Sequence, residues 1–243
     1  MGFRTLIVLI TILLAPSAEA QEEVDLELVL LADASSSIDN AEVLFQRRGY
    51  AAAITHPEVL NAIAGGLLQK IAVTYVEWGD STSHEVVVPW TVIDGPEAAA
   101  KFAGTLTAGF SRNVYGRNAI GSAIRVALAL LETNGFSGLR RVIDLSGDSA
   151  HSFNGPPIIT ARAEAITAGV IINGLAIFCH SDDCSGRPVG YDLEAVFARR
   201  IIAGPGSFVV TVDGETSFTE AVRRKLVLEI AVKDGVESGK SLE

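Results

Sequence analysis

Basic residues are scarce in this 243-residue sequence, in which 19 lysines and arginines stand against 29 aspartates and glutamates. The resulting formal charge of −10 argues against nucleic acids and anionic membrane surfaces as partners, because both attract positively charged proteins. It is compatible with the binding of a cation. Internal repeats and low-complexity linkers are also absent from the sequence, which favours one domain of generous size. The hydrophobic fraction of 49% is sufficient for a core.

Long apolar runs are confined to the N-terminus. Arg4 is followed by the mostly apolar run Leu6–Leu14 and by the small-x-small pattern Ala18–Ala20. This layout is typical of a secretory signal peptide, and its apolar part is short for a membrane span. The alternative is an N-terminal anchor that is not cleaved. We predict cleavage after Ala20, a periplasmic or secreted protein, and no stable membrane insertion after cleavage. The predicted segments are a signal peptide at 1–20, a domain at 21–235 and a flexible C-terminal tail at 236–243.

Cysteine is nearly absent, and the two that are present, Cys179 and Cys184, lie in the stretch CHSDDC. An exported protein meets an oxidising compartment, so we predict a disulfide bond that closes this small loop. The alternative is a metal site in which the thiols act with His180, Asp182 and Asp183. That spacing matches no standard zinc pattern, which makes the disulfide the stronger hypothesis.

Strand-like and helix-like segments alternate along the remaining chain. Several apolar segments, such as VIINGLAIF, are hydrophobic on both sides, which is typical of strands buried on both faces of a parallel sheet. The second and third strands, joined by GDSTS, predict a hairpin that ends in an antiparallel edge strand. We therefore predict an α/β fold with a doubly wound, mostly parallel six-stranded sheet and helices on both faces. The predicted strands are Leu26–Ala32, Ile71–Trp78, His84–Trp90, Arg141–Leu145, Gly169–Phe178 and Ser207–Val212. The predicted helices are Asp39–Ile54, Pro57–Gly65, Pro96–Leu106, Ala119–Thr133, Pro156–Ala168, Tyr191–Ala203 and Ser217–Val232.

Oxygen-bearing side chains follow two of the predicted strands. Asp33, Ser35 and Ser37 belong to the stretch DASSS after the first strand, and Asp148 follows the fourth strand in VIDLSGDS. Open α/β sheets bind ligands beyond the carboxyl ends of their strands, where the strand order reverses. Carboxylate and hydroxyl oxygens are suitable ligands for hard divalent cations such as Mg²⁺. The pattern predicts a cation site at this edge, and a simple strand-to-helix loop with a helix cap is the alternative.

The pattern D-x-S-x-S directly after a buried first strand resembles the metal-ion-dependent adhesion site of von Willebrand factor type A (vWA) domains. In that family a third loop supplies a threonine and a fourth supplies an aspartate, usually within TDG. The corresponding stretches here are YGRNAIGSAI at Tyr115–Ile124 and LSGDS at Leu145–Ser149. Asn118 stands at the threonine position, and Ser149 replaces the usual glycine. The metal ligands that the resemblance implies are Asp33, Ser35, Ser37, Asn118 and Asp148.

The resemblance implies a binding function rather than catalysis. In vWA domains uncharged hydroxyl ligands contact the metal directly, and the cation completes its shell with an acidic side chain of a partner. We therefore expect Mg²⁺, or else Ca²⁺ or Mn²⁺, and a protein ligand that presents Asp or Glu. The amide oxygen of Asn118 can also ligate Mg²⁺ or Ca²⁺, and a weaker site or an altered metal preference is the alternative. RVIDLSGDS, the cysteine stretch and the ending from Tyr191 to Ala231 also resemble exported bacterial vWA-like proteins of unassigned function.

Two other functions stay open. A degenerate domain that binds partners without metal is one, because Asn118 departs from the family pattern. A serine hydrolase is the other, because GDS at 147–149 resembles the nucleophile block of an esterase family and Asp148 and His151 have its D-x-x-H spacing. The two blocks overlap here and stand away from their usual positions, and an arrangement through His56, His84 or His180 lacks any motif, so hydrolysis is the weaker hypothesis.

Three charged residues near the predicted site each permit two interpretations. Asp144 is costly in the middle of a strand unless it is paired, so it either supports the cation site or bonds a neighbouring loop. Arg112 and Arg117 either help to hold an acidic ligand or lie on a solvated loop. In the last helix, spacing predicts that the arginines point outward. The core-facing residues predicted for that helix are Ala221, Leu226, Val227 and Ile230.

Overall fold

The computed structural model describes residues 21–177, 190–212 and 218–231, and strands and helices alternate within these ranges. The strands are β1 (Glu22–Asp33), β2 (Ile71–Trp78), β3 (His84–Ile93), β4 (Phe136–Gly147), β5 (Ile171–Ile177) and β6 (Val209–Val212). The helices are α1 (Asn40–Ile54), α2 (Pro57–Ala64), α3 (Pro96–Thr107), α4 (Ile120–Glu132), α5 (Ile158–Thr167), α6 (Leu193–Arg200) and α7 (Phe218–Ala231). The predicted signal peptide, the C-terminal tail and the pair Cys179 and Cys184 lie outside the described residues.

The six strands form one sheet in the order β3-β2-β1-β4-β5-β6. β3 runs antiparallel to β2 at the edge, and the other neighbours are parallel, which confirms the predicted sheet. The strand order reverses at β1, since β2 lies on one side of it and β4 on the other. Leu31 of β1 lies opposite Leu145 of β4. The loops that follow β1 and β4 therefore begin side by side at the crevice where such sheets bind ligands.

The helices cover both faces of the sheet because the central strands are apolar on both sides. In β1, Leu28 and Leu30 pack into one core with α1, α2, α3 and α7. Val29 and Leu31 pack into the other core with α4, α5 and α6. Successive side chains of a strand point to opposite faces, so the apolar side chains on both faces of β1 are removed from water. This burial stabilises the fold by about 1.5–3 kcal/mol for each side chain. The position of β1 in the middle of the sheet is thereby fixed.

The loop after β1 ends at a well-defined helix start. The carboxylate of Asp39 accepts from the N–H of Glu42 at 2.9 Å, and the carboxylate of Glu42 accepts from the N–H of Asp39 at 2.6 Å. This reciprocal pair is a capping box, which the sequence pattern of Asp39 followed by Glu42 predicts, and a cap of this kind contributes about 1 kcal/mol. Pro57 and Pro96 stand in the first turns of α2 and α3, as predicted. The chain between β1 and α1 is therefore short and anchored at both ends.

Several element boundaries differ from the predictions by a few residues, and in three cases the backbone gives the reason. β4 begins at Phe136 rather than Arg141, since its first residues pair with the beginning of β1 although they are not uniformly apolar. α5 begins at Ile158, because Pro157 is extended, with ψ 140°. α6 is shorter than predicted at its carboxyl end, where Ala203 exchanges backbone hydrogen bonds of 2.8 and 3.0 Å with Ile172.

Candidate metal site

The first loop of the predicted site folds around Asp33, the buried last residue of β1. Its Oδ1 accepts from the N–H of Ser35 at 2.8 Å, and its backbone carbonyl accepts from Nε2 of Gln46 at 3.1 Å. The hydroxyl oxygens of Ser35 and Ser37 are 3.2 Å apart. The short turn therefore brings the two serine hydroxyls together beside Asp33, as the alternation of residues predicts.

The second contribution comes from Asn118, which is buried just before α4. Its Nδ2 donates to Asp33 Oδ2 at 3.0 Å, and its Oδ1 accepts from the hydroxyl of Ser35 at 3.1 Å. The backbone carbonyl of Asn118 also accepts from the N–H of Phe153 at 2.8 Å, which joins this loop to the loop after β4. The amide thus bridges the aspartate and the first serine.

The third contribution is Asp148, which follows the end of β4 and is 6% exposed. It is close enough to Asp33 for the two carboxylates to repel each other, and the nearby Ser37 hydroxyl acts to lower its pKa. Its Oδ1 is buried without a hydrogen-bond partner. Gly147 permits this approach, because a Cβ there would lie 3.3 Å from Asp33 Oδ2. The structure therefore brings all five predicted ligands to one edge of the sheet.

The site is short of positive charge. Burial, together with repulsion from Asp148, raises the pKa of Asp33 to about 8, against the opposing hydrogen bonds from Ser35 and Asn118. Burial also raises the pKa of Asp148. Neither carboxylate forms an ion pair with a cationic side chain in the described part of the chain. Two buried carboxylates without a counter-charge are costly, and a bound cation would remove that cost.

The donor set is suited to a hard cation, because every side-chain donor is oxygen. It consists of two carboxylates, two hydroxyls and one amide oxygen, which are the ligand types that Mg²⁺ and Ca²⁺ prefer. Within 21–177, 190–212 and 218–231, no group of three or more His, Cys, Asp or Glu residues is placed to hold a metal ion. The hydroxyl and amide oxygens are therefore essential to the fit, since the two aspartates alone do not form a cage.

The two arginines near the site have different roles. Arg112 donates through Nη2 to the carbonyls of Ala34 and Ser35, both at 2.9 Å, and therefore fixes the backbone of the first loop. The guanidinium of Arg117 lies 3.4 Å from the centre of the Phe153 ring. Arg112 is thus a structural part of the site, a role that sequence reasoning missed because its acceptors are backbone atoms far away in the sequence.

Asp144 serves neither of the two roles predicted for it. Its Oδ1 is 2.6 Å from Nζ of Lys225, a buried lysine of α7. Lys225 also bonds Glu229, which is buried on the same helix. Both residues were missed in the sequence, although they follow the core-facing Ala221 at spacings of four and eight residues, which places all three on one helix face. The arginines of α7 point outward as predicted.

Ser149, His151 and His56 of the hydrolase hypothesis form no hydrogen bond between a serine hydroxyl and a histidine ring, and His180 lies outside the described residues. The hydroxyl oxygen of Ser149 accepts from the backbone N–H of His151 at 3.2 Å, whereas the His151 ring packs 5.6 Å from the ring of Tyr191. The ring of His56 accepts from the N–H of Glu58 and caps α2. In the described residues no serine hydroxyl is hydrogen-bonded to an imidazole, which is the arrangement that nucleophilic catalysis requires.

A family model described as protein of unknown function (DUF1194) matches residues 23–234. Among curated proteins, none matches the sequence. Solved structures resemble it at 20% identity or less, which shows the fold alone. The vWA domain of SpRpn10 has a TM-score of 0.54 and 15% identity, with 88% of this chain and 99% of that chain covered. The protein BatB from Bacteroides thetaiotaomicron has a TM-score of 0.53 and 16% identity, with 85% and 98% covered.

A mussel protein provides the remaining comparison. Proximal thread matrix protein 1 from the mussel byssus has a TM-score of 0.56 and 20% identity, with 86% of this chain covered. This chain spans 48% of the length of that protein. A second structure of the mussel protein, with a TM-score of 0.55, has a zinc-occupied metal-ion-dependent adhesion site motif. The fold of the present chain is therefore that of a vWA domain.

Proposed function

The chain belongs to the DUF1194 family and has a vWA fold, and from this premise we propose that it is an exported binding module. It holds a divalent cation at the carboxyl edge of β1 and β4, and it recruits an acidic side chain of a protein partner through that cation. The expected cation is Mg²⁺, with Ca²⁺ or Mn²⁺ as alternatives. The proposed ligands are Asp33, Ser35, Ser37, Asn118 and Asp148.

One observation carries the proposal: Asp33 and Asp148 are buried together, and no cationic side chain of the described residues forms an ion pair with either. An unpartnered buried carboxylate oxygen, Oδ1 of Asp148, lies in the same cluster. Hydroxyl and amide oxygens of Ser35, Ser37 and Asn118 surround the two acids. A cation that neutralises both acids would find its remaining ligands already in place, and little reorganisation would be needed.

The uncharged ligands explain why a partner would contribute an acid. Hydroxyl and amide oxygens satisfy the coordination of a cation without reducing its charge, so a cation held largely by such ligands still attracts a carboxylate. Two aromatic side chains on the same loops support a protein partner. Tyr115 is 63% exposed on the loop that carries Asn118, and Phe153 is 51% exposed on the loop that carries Asp148. Exposed aromatic side chains are enriched at protein–protein interfaces.

The proposed location is the periplasm or the extracellular space, and it rests on the N-terminal pattern of the sequence. Among the described helices, none combines the length and the hydrophobicity of a membrane span. The predicted disulfide between Cys179 and Cys184 would suit the same compartment.

A metal-free binding domain is the second candidate, and a specific contact favours it. The amide of Asn118 donates to Asp33 and accepts from Ser35, so it closes the hydrogen-bond network without any ion. A neutral donor offsets a buried carboxylate less well than a cation does. The two candidates predict opposite responses to chelation, because only the first one loses partner binding.

The first experiment compares unfolding with and without Mg²⁺. If Mg²⁺ binds, a concentration of about 100 times its Kd stabilises the fold by about 2.7 kcal/mol. Asp33→Ala removes a ligand and should abolish this response. Asp94→Ala is the matched control, because Asp94 is an exposed acid that follows β3 at the opposite edge of the sheet. An equal Mg²⁺ response in Asp33→Ala and Asp94→Ala would refute the metal site.

The second experiment tests recruitment of an acidic partner. The mature protein and the two variants are used as bait in periplasmic extract, with and without a chelator. The proposal requires that capture of a given protein is lost both on chelation and in Asp33→Ala but persists in Asp94→Ala. Substitution of the captured protein's interface aspartate or glutamate by its amide should then abolish capture. Capture that survives chelation would favour the metal-free candidate.

A further inference from the structure

A cleft of about 450 Å³ lies beside the candidate metal site, and we propose that it binds the carboxylates of an acidic, partly apolar peptide segment of a protein partner. We refer to it as the basic cleft. Its charged and polar wall includes His151, Arg162, Arg199 and Arg200, and its apolar wall includes Ile158 and Ile159. Among the described residues that line it there is no aspartate or glutamate, although acids outnumber basic residues in the chain as a whole.

The positive charges of Arg199 and Arg200 in the basic cleft are not neutralised by acidic side chains of the described residues. Other arginines of this chain are paired with acids, for example Arg47 with Glu77 and Arg125 with Glu164. Arg199 and Arg200 are exposed and form no ion pair within the described part of the chain. A planar guanidinium group binds a carboxylate through two parallel hydrogen bonds, and two free ones at one cleft suit an acidic ligand.

The carboxyl end of α6 does not explain these two arginines. Basic residues in a last helical turn often interact with the free carbonyls there. Here Arg162 of α5 performs that role, since its Nη2 donates to the carbonyl of Ile202 at 2.6 Å and its Nη1 to that of Arg199 at 3.3 Å. The Nε of Arg162 remains buried without a partner at the cleft wall. The side chains of Arg199 and Arg200 are thereby left for a ligand.

The apolar wall indicates a peptide rather than a small inorganic anion. Ile159 is 73% exposed at the first turn of α5, where a polar residue would be expected on a helix that only faces water. A peptide in which carboxylates lie next to an apolar side chain is complementary to a cleft in which arginines lie next to an isoleucine. An inorganic phosphate would satisfy the charge but leave the isoleucine exposed to water.

The basic cleft is close enough to the metal site for one partner to contact both. Ala150 and His151 line the cleft, and only Ser149 separates Ala150 from Asp148 in the chain. The Cα atoms of Asp148 and Ala150 are therefore at most about 7.6 Å apart, so the cleft begins close to this proposed metal ligand. Binding in the cleft relies on arginines and therefore does not depend on the cation, so the two proposals can fail separately.

The test uses the mature full-length protein in the presence of a chelator. The probe is a fluorescein-labelled peptide, acetyl-Glu-Leu-Glu-Leu-Glu, and the readout is its fluorescence anisotropy. The double variant Arg199→Gln/Arg200→Gln should bind it about tenfold or more weakly than the wild type. Arg224→Gln is the matched control, because Arg224 is exposed on α7 away from the cleft. All substituted positions are exposed, and urea unfolding should show wild-type stability.

The following outcomes decide the proposal. Equal affinity in the double variant and in Arg224→Gln would overturn it. Equal binding of the matched peptide acetyl-Gln-Leu-Gln-Leu-Gln, or stronger competition by inorganic phosphate than by unlabelled peptide, would overturn the assignment to peptide carboxylates. Peptide binding with chelator that is unchanged in Asp33→Ala supports the cleft, whatever the result for the metal site. Binding that is present with Mg²⁺ but lost both on chelation and in Asp33→Ala would assign the peptide to the metal site instead and would overturn the cleft.

Discussion

Two clusters of buried acids lie on the same sheet, and they differ in one respect. The edge cluster consists of Asp33 and Asp148, and the interior cluster consists of Asp144 and Glu229 with Lys225 between them. All four acids are buried, and burial raises the pKa of each. The interior cluster contains its own cation, whereas the edge cluster has none.

The interior cluster is a closed arrangement. Lys225 pairs with both acids, and Asn173 Nδ2 donates to Glu229 at 3.1 Å. It joins β4, β5 and α7 beneath the surface, where its lysine is fully buried. In contrast, the edge cluster opens at the loops after β1 and β4. A pair of buried acids without a counter-charge is therefore a better sign of a binding site than the presence of buried acids, because the two acids of the interior cluster are paired with Lys225 of the same chain.

The largest expected effect follows from removing the internal cation. Lys225→Met leaves Asp144 and Glu229 buried without a counter-charge, and we expect the free energy of unfolding to fall by about 3–5 kcal/mol in urea titrations. Arg224→Met, at the neighbouring exposed position, should change it by less than about 0.5 kcal/mol. Equal effects of the two substitutions would mean that the ion pairs of the interior cluster contribute nothing to the free energy of unfolding. The contrast between the interior and edge clusters would then not hold.

The second-largest expected effect is a pH dependence of stability that arises from Glu229 of the interior cluster. Burial and repulsion from Asp144, opposed by Lys225 and Asn173, raise the pKa of Glu229 from 4.5 to about 7. Folding therefore takes up a proton between these values. The contribution of Glu229 to stability falls as pH rises from 4.5 to 7 and is constant above pH 7, with a slope of up to about 1.4 kcal/mol per pH unit.

Urea titrations across this range measure the prediction. Glu229→Gln cannot titrate, so the stability of the wild type relative to this variant should decline with rising pH in that window. Lys225 keeps Asp144 as its partner in the variant, which limits other changes. A difference that is independent of pH would show that Glu229 has an ordinary pKa.

The edge cluster should respond in the opposite way to loss of an acid. Asp33→Asn removes one of two repelling carboxylates, and we expect it to stabilise the chelated protein by about 1–3 kcal/mol at pH 8. The same substitution should abolish the response to Mg²⁺. Asp144→Asn in the interior cluster should instead be destabilising, because it leaves Lys225 with one acid fewer. Destabilisation of the chelated protein by Asp33→Asn would contradict the idea that the edge lacks a counter-charge.

The smallest effect concerns the departure from the vWA pattern. Asn118→Thr replaces an amide that bonds Asp33 by the hydroxyl found in that family, and we expect Mg²⁺ to bind about tenfold more tightly, or ~1.4 kcal/mol. Isothermal titration calorimetry with Mg²⁺ measures the change. Weaker binding in this variant would show that the amide oxygen is a better ligand here than a hydroxyl.

Local patterns in the sequence were enough for most of the fold. Two-sided apolar runs predicted the buried parallel strands, and the pair Asp39 and Glu42 predicted the start of α1. Asp33, Ser35 and Ser37 could be found because they alternate within one short stretch of the sequence. Asp148 could be placed because the carboxyl ends of parallel strands share one edge. Their grouping is present in the structure, and metal binding itself stays a prediction.

Only the tertiary structure determined which partners the charged side chains bind. The first half of β4 is a strand only because β1 lies beside it, and Asp144 is tolerated only because Lys225 arrives from α7. Arg112 holds the first loop through backbone carbonyls that no side-chain pattern reveals. Backbone conformation and burial can be predicted from periodic patterns in the sequence, because residues that are close in the chain belong to the same helix or strand. The partners of charged side chains cannot be predicted in this way, because they are determined by the packing of elements that are distant in the chain.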